Sequence, residues 1–418
     1  MRDPFSFSAL ARGVRASDIA DFDIDLKSNR VALVNAAVEA ANALISPLSV
    51  YKTASIKQKL CAYYDDYSSV LILRAISTYL LRRFRLNLPN RDRIVASVIE
   101  AMGDSTPFSV VRRDLSSFYE NVPTEEIRTR LLYDTAIPRQ MRHHLKAFFA
   151  AHCKSDTHGL PRGVGLSTVL VELAMQGFDA SVRQSGGVFR YFRYSDDILV
   201  FTFLDPSIVS NSLENLVIHP MSFNDSKGMT VSFSPDATSA AEDHFDYLGY
   251  RFLAATKAGG SDPRTVEVSI SPSKIDRIKG RVILSVKDCI KTGNAALFIR
   301  RMRYLSGNHK ISRTPEFFFK EKRRVNIGIY FNYKHCGIYK KRKHEEIERS
   351  ELKALDGFYH SLCFGAGSSL SGKLAAKLNP TQRAFLRRIS FSKGYSRRVS
   401  ARVANGTIRS MKAAWRNH

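Results

Sequence analysis

The chain has 418 residues, of which 44% are hydrophobic and 25% are charged. This apolar content can bury a large core and excludes a disordered or fibrous protein, and the length allows two or three domains. The formal charge is +25, but it is unevenly placed: residues 1–250 hold 27 basic and 28 acidic side chains, whereas residues 251–418 hold 37 and 11. Charge concentrated in one part of a chain predicts a polyanionic partner for that part.

Neither a membrane segment nor a cysteine framework is indicated. The most apolar long stretch, 31–50, contains Asn35 and Glu39 and is interrupted by Pro47, which is typical of an amphipathic core helix. The five cysteines are widely spaced, which argues against disulfides or a zinc cluster, and the first residues lack the apolar run of a signal peptide. We therefore expect a reduced, cytoplasmic protein and favour nucleic acid over membrane as the partner.

The first part of the chain predicts helices followed by a strand. Residues 30–103 have Ala and Leu at helical spacing, with breaks at Pro47 and at 88–90. The β-branched run 108–114 predicts a strand that ends on a carboxylate. Thr124, which is followed by two glutamates, predicts a helix start.

The middle of the chain predicts a sheet. A glycine-rich loop at 159–165 precedes a helix that is predicted from Ser167 to about Val182. The strands predicted after it are 188–194, 198–203, 231–234 and 244–252. The first two of them are joined by three residues and form a predicted hairpin with Asp196 and Asp197 at its tip. Beyond residue 265 the pattern predicts helices again.

Three carboxylates suggest the chemistry: Asp114 at a strand end, and Asp196 with Asp197 at the hairpin tip. Adjacent like charges repel, and a cation between them relieves the repulsion. Carboxylates suit Mg²⁺ or Mn²⁺, and two such ions about 3.5–4 Å apart can stabilise both the attacking and the leaving oxygen of a phosphoryl transfer. We therefore predict that these three residues are catalytic metal ligands. A solvated turn is the alternative for an Asp-Asp pair, and its position between two apolar strands argues against that alternative.

The segment 194–197, Tyr-Ser-Asp-Asp, resembles the Tyr-x-Asp-Asp box of reverse transcriptases. Asp114-Leu-Ser-Ser-Phe-Tyr resembles the first catalytic motif of that family. The resemblance assigns metal binding to Asp114, nucleotide contact to Leu115, and a steric gate against the ribose 2′-hydroxyl to Tyr119. A core aromatic residue at a strand end is the alternative for Tyr119.

Three further boxes follow in the order found in that family. The segment 159–167 resembles the loop and helix that pack against the incoming nucleotide, which assigns nucleotide binding to Arg162, Gly163 and Ser167. The segment 223–227 resembles the next motif, in which Lys227 lies near the triphosphate and protonates pyrophosphate. A solvated loop lysine is the alternative for Lys227. The segment 245–250 resembles the primer grip, which assigns that role to Tyr247, Leu248 and Gly249.

The resemblance implies the fold of a right-hand polymerase. The expected fold class is α+β, with helical fingers over 1–105, an antiparallel palm sheet over 106–260, and a basic helical thumb with an RNA-binding extension over 261–418. Arg162 stands where viral and intron enzymes usually have Gln, and Thr168 follows Ser167 where they have Pro. Together with the segment 118–121, Phe-Tyr-Glu-Asn, these features look most like bacterial defence-associated reverse transcriptases of the abortive-infection and unknown groups.

That resemblance implies an activity and partners. The expected activity is Mg²⁺-dependent synthesis of DNA from dNTPs, directed by a companion noncoding RNA that serves as template and scaffold. The expected setting is antiphage defence in the bacterial cytoplasm, as a homo-oligomer or with a small operon-encoded partner.

The basic C-terminal part predicts an RNA grip. Pro272 predicts a helix start, after which Ile275, Ile278 and Val282 fall on one stripe and basic residues on another. The residues predicted to bind RNA are Lys274, Arg277, Arg281, Arg300, Arg303, Arg323 and Arg324. The tyrosines predicted to stack on unpaired bases are Tyr304, Tyr330, Tyr333, Tyr339 and Tyr395. A solvated helix face is the alternative for any single basic stripe.

Three rival functions are left open. The first is a template-independent polymerase that is primed by a protein hydroxyl. The second is an RNA-dependent RNA polymerase, against which Tyr119 at the gate position argues. The third is a catalytically idle RNA-binding scaffold, against which the three carboxylates argue, although a fold does not guarantee an activity.

Overall fold

The computed structural model describes residues 3–56, 58–104, 106–153, 159–233, 243–255, 264–315, 323–340, 343–346 and 349–415. The helices are α1 (Phe7–Ala11), α2 (Asp18–Phe22), α3 (Leu26–Asn42), α4 (Tyr67–Arg83), α5 (Arg91–Met102), α6 (Thr124–Tyr133), α7 (Arg139–His152), α8 (Gly165–Ala174), α9 (Gln176–Gln184), α10 (Pro206–Leu216), α11 (Pro272–Thr292), α12 (Ala295–Ser306), α13 (Ile329–Asn332), α14 (Ser350–Phe364), α15 (Ser371–Ala375), α16 (Pro380–Arg387), α17 (Phe391–Arg397) and α18 (Asn405–Lys412). Short 3₁₀ turns lie at Pro47–Ser49, Asp225–Lys227 and Ala413–Trp415.

The strands are β1 (Lys52–Ile56), β2 (Lys59–Tyr63), β3 (Phe108–Asp114), β4 (Val188–Tyr194), β5 (Asp197–Thr202), β6 (Met229–Phe233), β7 (His244–Tyr247), β8 (Tyr250–Ala255), β9 (Thr265–Ile270), β10 (Asn308–Ser312), β11 (Arg324–Gly328), β12 (Gly337–Lys340), β13 (Lys343–Glu345) and β14 (Ser400–Arg402). Across the described ranges the strand pairings are antiparallel, apart from that of β10 with β14. The protein is therefore of mixed α+β class, as predicted.

The chain divides into two compact units. The first unit comprises Met1–Val14, Phe22–Ser97 and Thr106–Pro235, and the second comprises Arg15–Asp21, Val98–Ser105 and Asp236–His418. The first unit holds most of the helical N-terminal region together with the strands that carry the three carboxylates. The second holds the predicted primer grip and the basic C-terminal part. The finer division into fingers, palm and thumb stays a prediction.

The first unit contains a four-stranded antiparallel sheet in the order β4-β5-β3-β6. Both of its central strands have buried residues on the two faces: residues 198–201 are fully buried in β5, whose sequence is an almost continuous apolar run, as are Val110 and Val111 in β3. The predicted hairpin is confirmed, since β4 ends at Tyr194 and β5 begins at Asp197.

Two predictions in the first unit are wrong. Residues 52–56 and 59–63, inside the region predicted to be helical, form the antiparallel hairpin β1–β2. Every residue of β1 is exposed, so no buried face imposes the alternating pattern by which a strand is recognised in sequence. The helix predicted from Ser167 to about Val182 is divided at Met175 into α8 and α9.

The second unit contains a five-stranded sheet, β13-β12-β9-β8-β7, and a three-stranded sheet, β11-β10-β14. The prediction of helices alone beyond residue 265 is therefore wrong for β9 to β14. The predicted helix start at Pro272 is confirmed, and Ile275, Ile278 and Val282 form the buried face of α11, which packs against α12 and α14. In the described part of the chain, no helix combines the length and the apolar character that crossing a membrane requires.

Candidate active site

Strands β3 and β5 bring the three predicted carboxylates to one edge of the sheet. Asp114 is the last residue of β3 and pairs across the ladder with Asp197, the first residue of β5. The backbone N–H of Leu115 donates to the carbonyl of Asp196 at 2.9 Å, which places the third aspartate beside the same strand end. Asp114 is buried, and only 7% of its surface is exposed. The antiparallel register of two strands thus assembles residues that are about eighty positions apart in sequence.

The carboxylates of this edge interact electrostatically. Burial raises the pKa of Asp196, and the charge of Asp114 raises it further. Burial also raises the pKa of Asp197, against the opposing effect of Arg112 and together with the charges of Asp114 and Asp196. Ionisation of Asp196 and Asp197 is therefore less favourable here than in solution, and positive charge brought to the cluster would favour it.

Two basic side chains already pair with the cluster. Lys227 Nζ donates to Asp114 Oδ2 at 2.7 Å, so the predicted lysine lies at the predicted carboxylates. Arg112 holds Asp197 with two hydrogen bonds, Nε to Oδ1 at 2.8 Å and Nη2 to Oδ2 at 2.9 Å. Sequence reasoning missed Arg112. The sequence signal that could have identified Arg112 is its position two residues before Asp114, since residues two apart in a strand lie on the same face.

The segment that carries Lys227 is fixed against the end of β3. Asn224 N–H donates to the carbonyl of Asp114 at 2.7 Å, and Leu115 forms a bridge with Phe223. Leu115 itself is 1% exposed. The Leu115 side chain therefore packs in the core, and its backbone contributes to the site through the hydrogen bond to Asp196.

The hairpin tip has a strained backbone. Ser195 adopts a φ of 61°, in a two-residue turn between Tyr194 and Asp197. Turns of this kind favour glycine or asparagine where φ is positive. A non-glycine residue in a sparsely populated conformation costs about 1–3 kcal/mol, and such residues cluster at functional sites.

A buried ionic network anchors the hairpin, and sequence reasoning missed it. Arg193 of β4 donates to both carboxylate oxygens of Glu172 on α8, at 3.1 and 2.7 Å, and to both of Asp179 on α9, at 2.8 Å each. The hydroxyl of Tyr191 donates to Asp179 Oδ1 at 2.6 Å. This network connects the strand before the paired aspartates to the two helices that follow the glycine-rich loop.

The glycine-rich loop lies against the residues that follow β3. Leu160 N–H donates to the carbonyl of Tyr119 at 2.6 Å, and Gly159 N–H donates to the carbonyl of Val122 at 3.1 Å. The Tyr119 hydroxyl lies 3.3 Å from Thr168 Oγ1. The predicted gate residue and the predicted nucleotide-binding loop are therefore in contact.

Of the predicted nucleotide-binding side chains, Arg162 is paired within the protein and Ser167 is buried. The Arg162 guanidinium forms a two-point ion pair with Glu120, with Nη2 2.8 Å from Oε2, and this pairing lowers the pKa of Glu120. The same guanidinium lies 5.5 Å from the centre of the Tyr119 ring. Ser167 is fully buried, and its hydroxyl has no hydrogen-bond partner among the described residues.

Position 163 requires glycine because the backbone of Ala62 approaches it closely. The φ of Gly163 is 90°, and a Cβ added there would lie 2.6 Å from the carbonyl oxygen of Ala62. Beside it, the Ala62 N–H donates to the carbonyl of Arg162 at 2.7 Å. The loop is thus joined to β2, the second strand of the exposed hairpin, whose Lys59 contributes positive charge near Glu120.

The predicted primer grip forms a hairpin tip in the second unit. Tyr247 pairs with Tyr250, and Leu248 and Gly249 form the turn between them with φ values of 49° and 84°. Positive φ at both positions is the type I′ pattern, in which leucine is unusual. Tyr247 is 1% exposed, so its ring belongs to the core.

All seven residues predicted to bind RNA lie in the second unit. On α11, Arg277 is exposed, while Lys274 and Arg281 are half-buried. The Arg281 guanidinium lies 5.5 Å from the centre of the Trp415 ring, and burial lowers its pKa. Arg323 is exposed and Arg324 begins β11, where it is half-buried.

The basic series on α12 alternates between solvent and core. Arg300 and Arg303 are exposed, whereas Arg301 between them is buried and pairs with Asp288. The tyrosine prediction is wrong for two residues. Tyr333 and Tyr395 are buried, and the Tyr395 hydroxyl donates to the carbonyl of Tyr333 at 3.0 Å.

The carboxylate edge has the donor chemistry of a hard divalent cation, because it offers oxygen ligands from three aspartates. Within the described ranges, no three Asp, Glu, His or Cys side chains already form a cage for a metal ion. Asp114 and Asp197 are instead paired with Lys227 and Arg112. Since an ionised carboxylate has about four lone-pair sites, each can bind a cation while keeping its basic partner.

No protein-family model matches the chain, and no curated protein matches it either. Function is therefore inferred from the residues of the site and their geometry.

Proposed function

We propose that the protein is an RNA-directed DNA polymerase of the reverse-transcriptase type, which acts in bacterial antiphage defence and copies an associated noncoding RNA into DNA. The observation that supports this most is the convergence of Asp114, Asp196 and Asp197 at one sheet edge, with Lys227 bonded to the first of them. These four residues come from three separate boxes of the sequence. Their convergence is what nucleotidyl transfer requires.

The three aspartates would hold Mg²⁺ or Mn²⁺. Such an ion would supply positive charge for activation of the primer hydroxyl and for the departing pyrophosphate. The raised pKa values of Asp196 and Asp197 favour this role, because a cation relieves the repulsion among the ionised carboxylates. Arg112, through its two hydrogen bonds, holds the Asp197 carboxylate in one orientation.

Lys227 has the position of a general acid. Its ammonium lies at Asp114, and its side chain is 57% exposed, so it can reach a phosphate without leaving the site. A positioned lysine can donate a proton to the leaving pyrophosphate. Tyr119 and the loop that contains Gly163 form the side of the site at which we place the sugar of the incoming dNTP.

The second unit supplies the proposed grip on RNA. Arg277, Arg300 and Arg303 are exposed, as a phosphate-binding surface requires. Contacts of this type are mainly electrostatic and fix position without reading sequence. Affinity for RNA is therefore expected to fall steeply as salt is raised.

The test is incorporation of dNTPs by a variant that carries Asp196→Ala with Asp197→Ala. We expect incorporation to be lost while RNA binding is kept, because the RNA-binding residues lie in the other unit. The matched control is Glu214→Ala, which removes an exposed carboxylate from α10 in the same unit. Incorporation that survives in the double variant would falsify the assignment.

A further inference from the structure

The two ion pairs at the carboxylate edge differ in how firmly each basic side chain is held. Lys227 Nζ contacts one oxygen of Asp114, Oδ2, at 2.7 Å, and the lysine side chain is 57% exposed. Arg112 instead bonds to both oxygens of Asp197, and its side chain is 25% exposed. A two-point guanidinium pair has a fixed geometry, whereas an ammonium is a point charge on a flexible four-carbon stem. Lys227 is therefore the basic partner that leaves its carboxylate more easily.

The backbone keeps Lys227 at the site while its side chain reaches solvent. Arg112 lies within β3, which is paired with a strand on each side. Lys227 ends a short 3₁₀ turn that precedes β6. Its N–H donates to the carbonyl of Asn224 at 3.1 Å, and the N–H of Asn224 donates to the carbonyl of Asp114 at 2.7 Å. The base of the Lys227 side chain is thus fixed beside Asp114, and its exposed ammonium can change partners without movement of the backbone.

The charge of Lys227 occupies the place at which a divalent cation would act. It is bonded to Asp114 and also interacts electrostatically with Asp196. Asp114 has lone pairs for both an ammonium and a metal ion, but two cations at one carboxylate repel each other. The Asp114 side chain is 10% exposed, so solvent and salt screen this repulsion less than at the surface. Lys227 and a divalent cation therefore weaken each other's binding at Asp114.

We propose that Lys227 opposes binding of the divalent cation until substrate arrives: its ammonium stays at Asp114 in the nucleotide-free protein and moves to the triphosphate of the incoming dNTP. A triphosphate attracts the ammonium more strongly than one carboxylate does, because it carries several negative charges. Asp114 is then left to the divalent cation, so the cation binds tightly with substrate and weakly without it. This inference rests on the proposed function in taking a dNTP as the substrate, and it adds an order of binding to the role of Lys227 as general acid.

The first experiment measures binding of Mn²⁺ to the full chain without nucleotide or primer, from the paramagnetic resonance signal of the free ion. Lys227→Met keeps the length of the side chain and removes its charge. We expect this variant to bind Mn²⁺ about two- to fivefold more tightly, as for the loss of one partly exposed ion pair. The matched control is Lys146→Met, which removes the same charge from an exposed position on α7 and is expected to leave the affinity unchanged. Unchanged affinity in Lys227→Met, or an equal gain in both variants, overturns the proposal.

The second experiment follows the ammonium itself, through the rate at which a small amine-reactive reagent acylates each lysine, read by mass spectrometry. Mn²⁺ is expected to raise the rate at Lys227, because the ion loosens its bond to Asp114, and dATP added with Mn²⁺ is expected to lower it again. The rate at Lys146 should respond to neither. In Asp114→Asn the rate at Lys227 should be high from the start and independent of Mn²⁺. A rate at Lys227 that responds to neither Mn²⁺ nor dATP contradicts the exchange of partners.

Neither experiment needs incorporation of dNTPs, so the two proposals can fail separately. If the wild type incorporates dNTPs but Lys227→Met binds Mn²⁺ as the wild type does, the proposal for Lys227 alone fails. If Mn²⁺ affinity and acylation change as expected while the wild type does not incorporate dNTPs, the polymerase proposal alone fails.

Discussion

Removing Arg193 is predicted to destabilise the hairpin that carries the paired aspartates. Its side chain is 4% exposed, and those of Glu172 and Asp179 are 10% and 14% exposed. Arg193→Met keeps the length and apolar stem of the side chain but leaves both carboxylates without their cation. Breaking a buried ion pair in this way costs about 3–5 kcal/mol.

The control is an exposed pair of the same chemistry. Arg128 and Glu125 on α6 have side chains that are 45% and 74% exposed. Arg128→Met is expected to cost less than about 1 kcal/mol, because solvent already screens that pair. The contrast between the two variants separates the effect of burial from the loss of an arginine as such.

Hydrogen exchange of the backbone amides in β4 and β5 measures this effect locally. A loss of 3–5 kcal/mol corresponds to exchange that is faster by roughly two to four orders of magnitude. Adding Glu172→Gln and Asp179→Asn to Arg193→Met should restore much of the protection, because the uncompensated charges are then gone. Protection in Arg193→Met that differs from the wild type by less than tenfold would refute this reasoning.

Three further predictions concern the site. Gly163→Ala should lower dNTP incorporation, because its Cβ would lie 2.6 Å from the Ala62 carbonyl oxygen, and an unchanged kcat/KM would contradict this. Burial and the charge of Asp114 raise the pKa of Asp196 above its ordinary value of 3.8. The contribution of Asp196 to stability is therefore fully present below pH 3.8 and is lost as the pH rises through the raised pKa. In metal-free buffer, Asp196→Asn should therefore raise the free energy of unfolding at neutral pH but leave it unchanged at acidic pH. A variant that is only as stable as the wild type at neutral pH would count against the prediction. Tyr119→Ala should admit ribonucleotides, and an unchanged preference for dNTPs in competition assays would remove Tyr119 as the gate.

The carboxylate edge could be predicted because its signals are local. A β-branched run that ends on Asp114 and an apolar hairpin with Asp196 and Asp197 at its tip are visible in a few residues each. The partners of these residues could not be predicted in the same way. Arg112 needs the register of β3 against β5, and Arg193 needs the packing of α8 and α9 on β4.

The other wrong predictions are explained by how far each segment or side chain is exposed to solvent. The hairpin β1–β2 has almost no buried face, so its sequence carries no period that indicates a strand. In the basic part, charge and aromatic content alone did not distinguish surface from core. Arg301 is buried between two exposed arginines, and Tyr333 and Tyr395 pack inside the unit instead of facing solvent.

The most direct test of the central claim is primer extension by the purified protein on a defined RNA template with dNTPs and Mg²⁺, followed by sequencing of the product. The expected result is DNA complementary to the template, absent without Mg²⁺ and absent for Asp114→Asn. No product, or a random or homopolymeric tract attached to protein, would contradict RNA-directed synthesis.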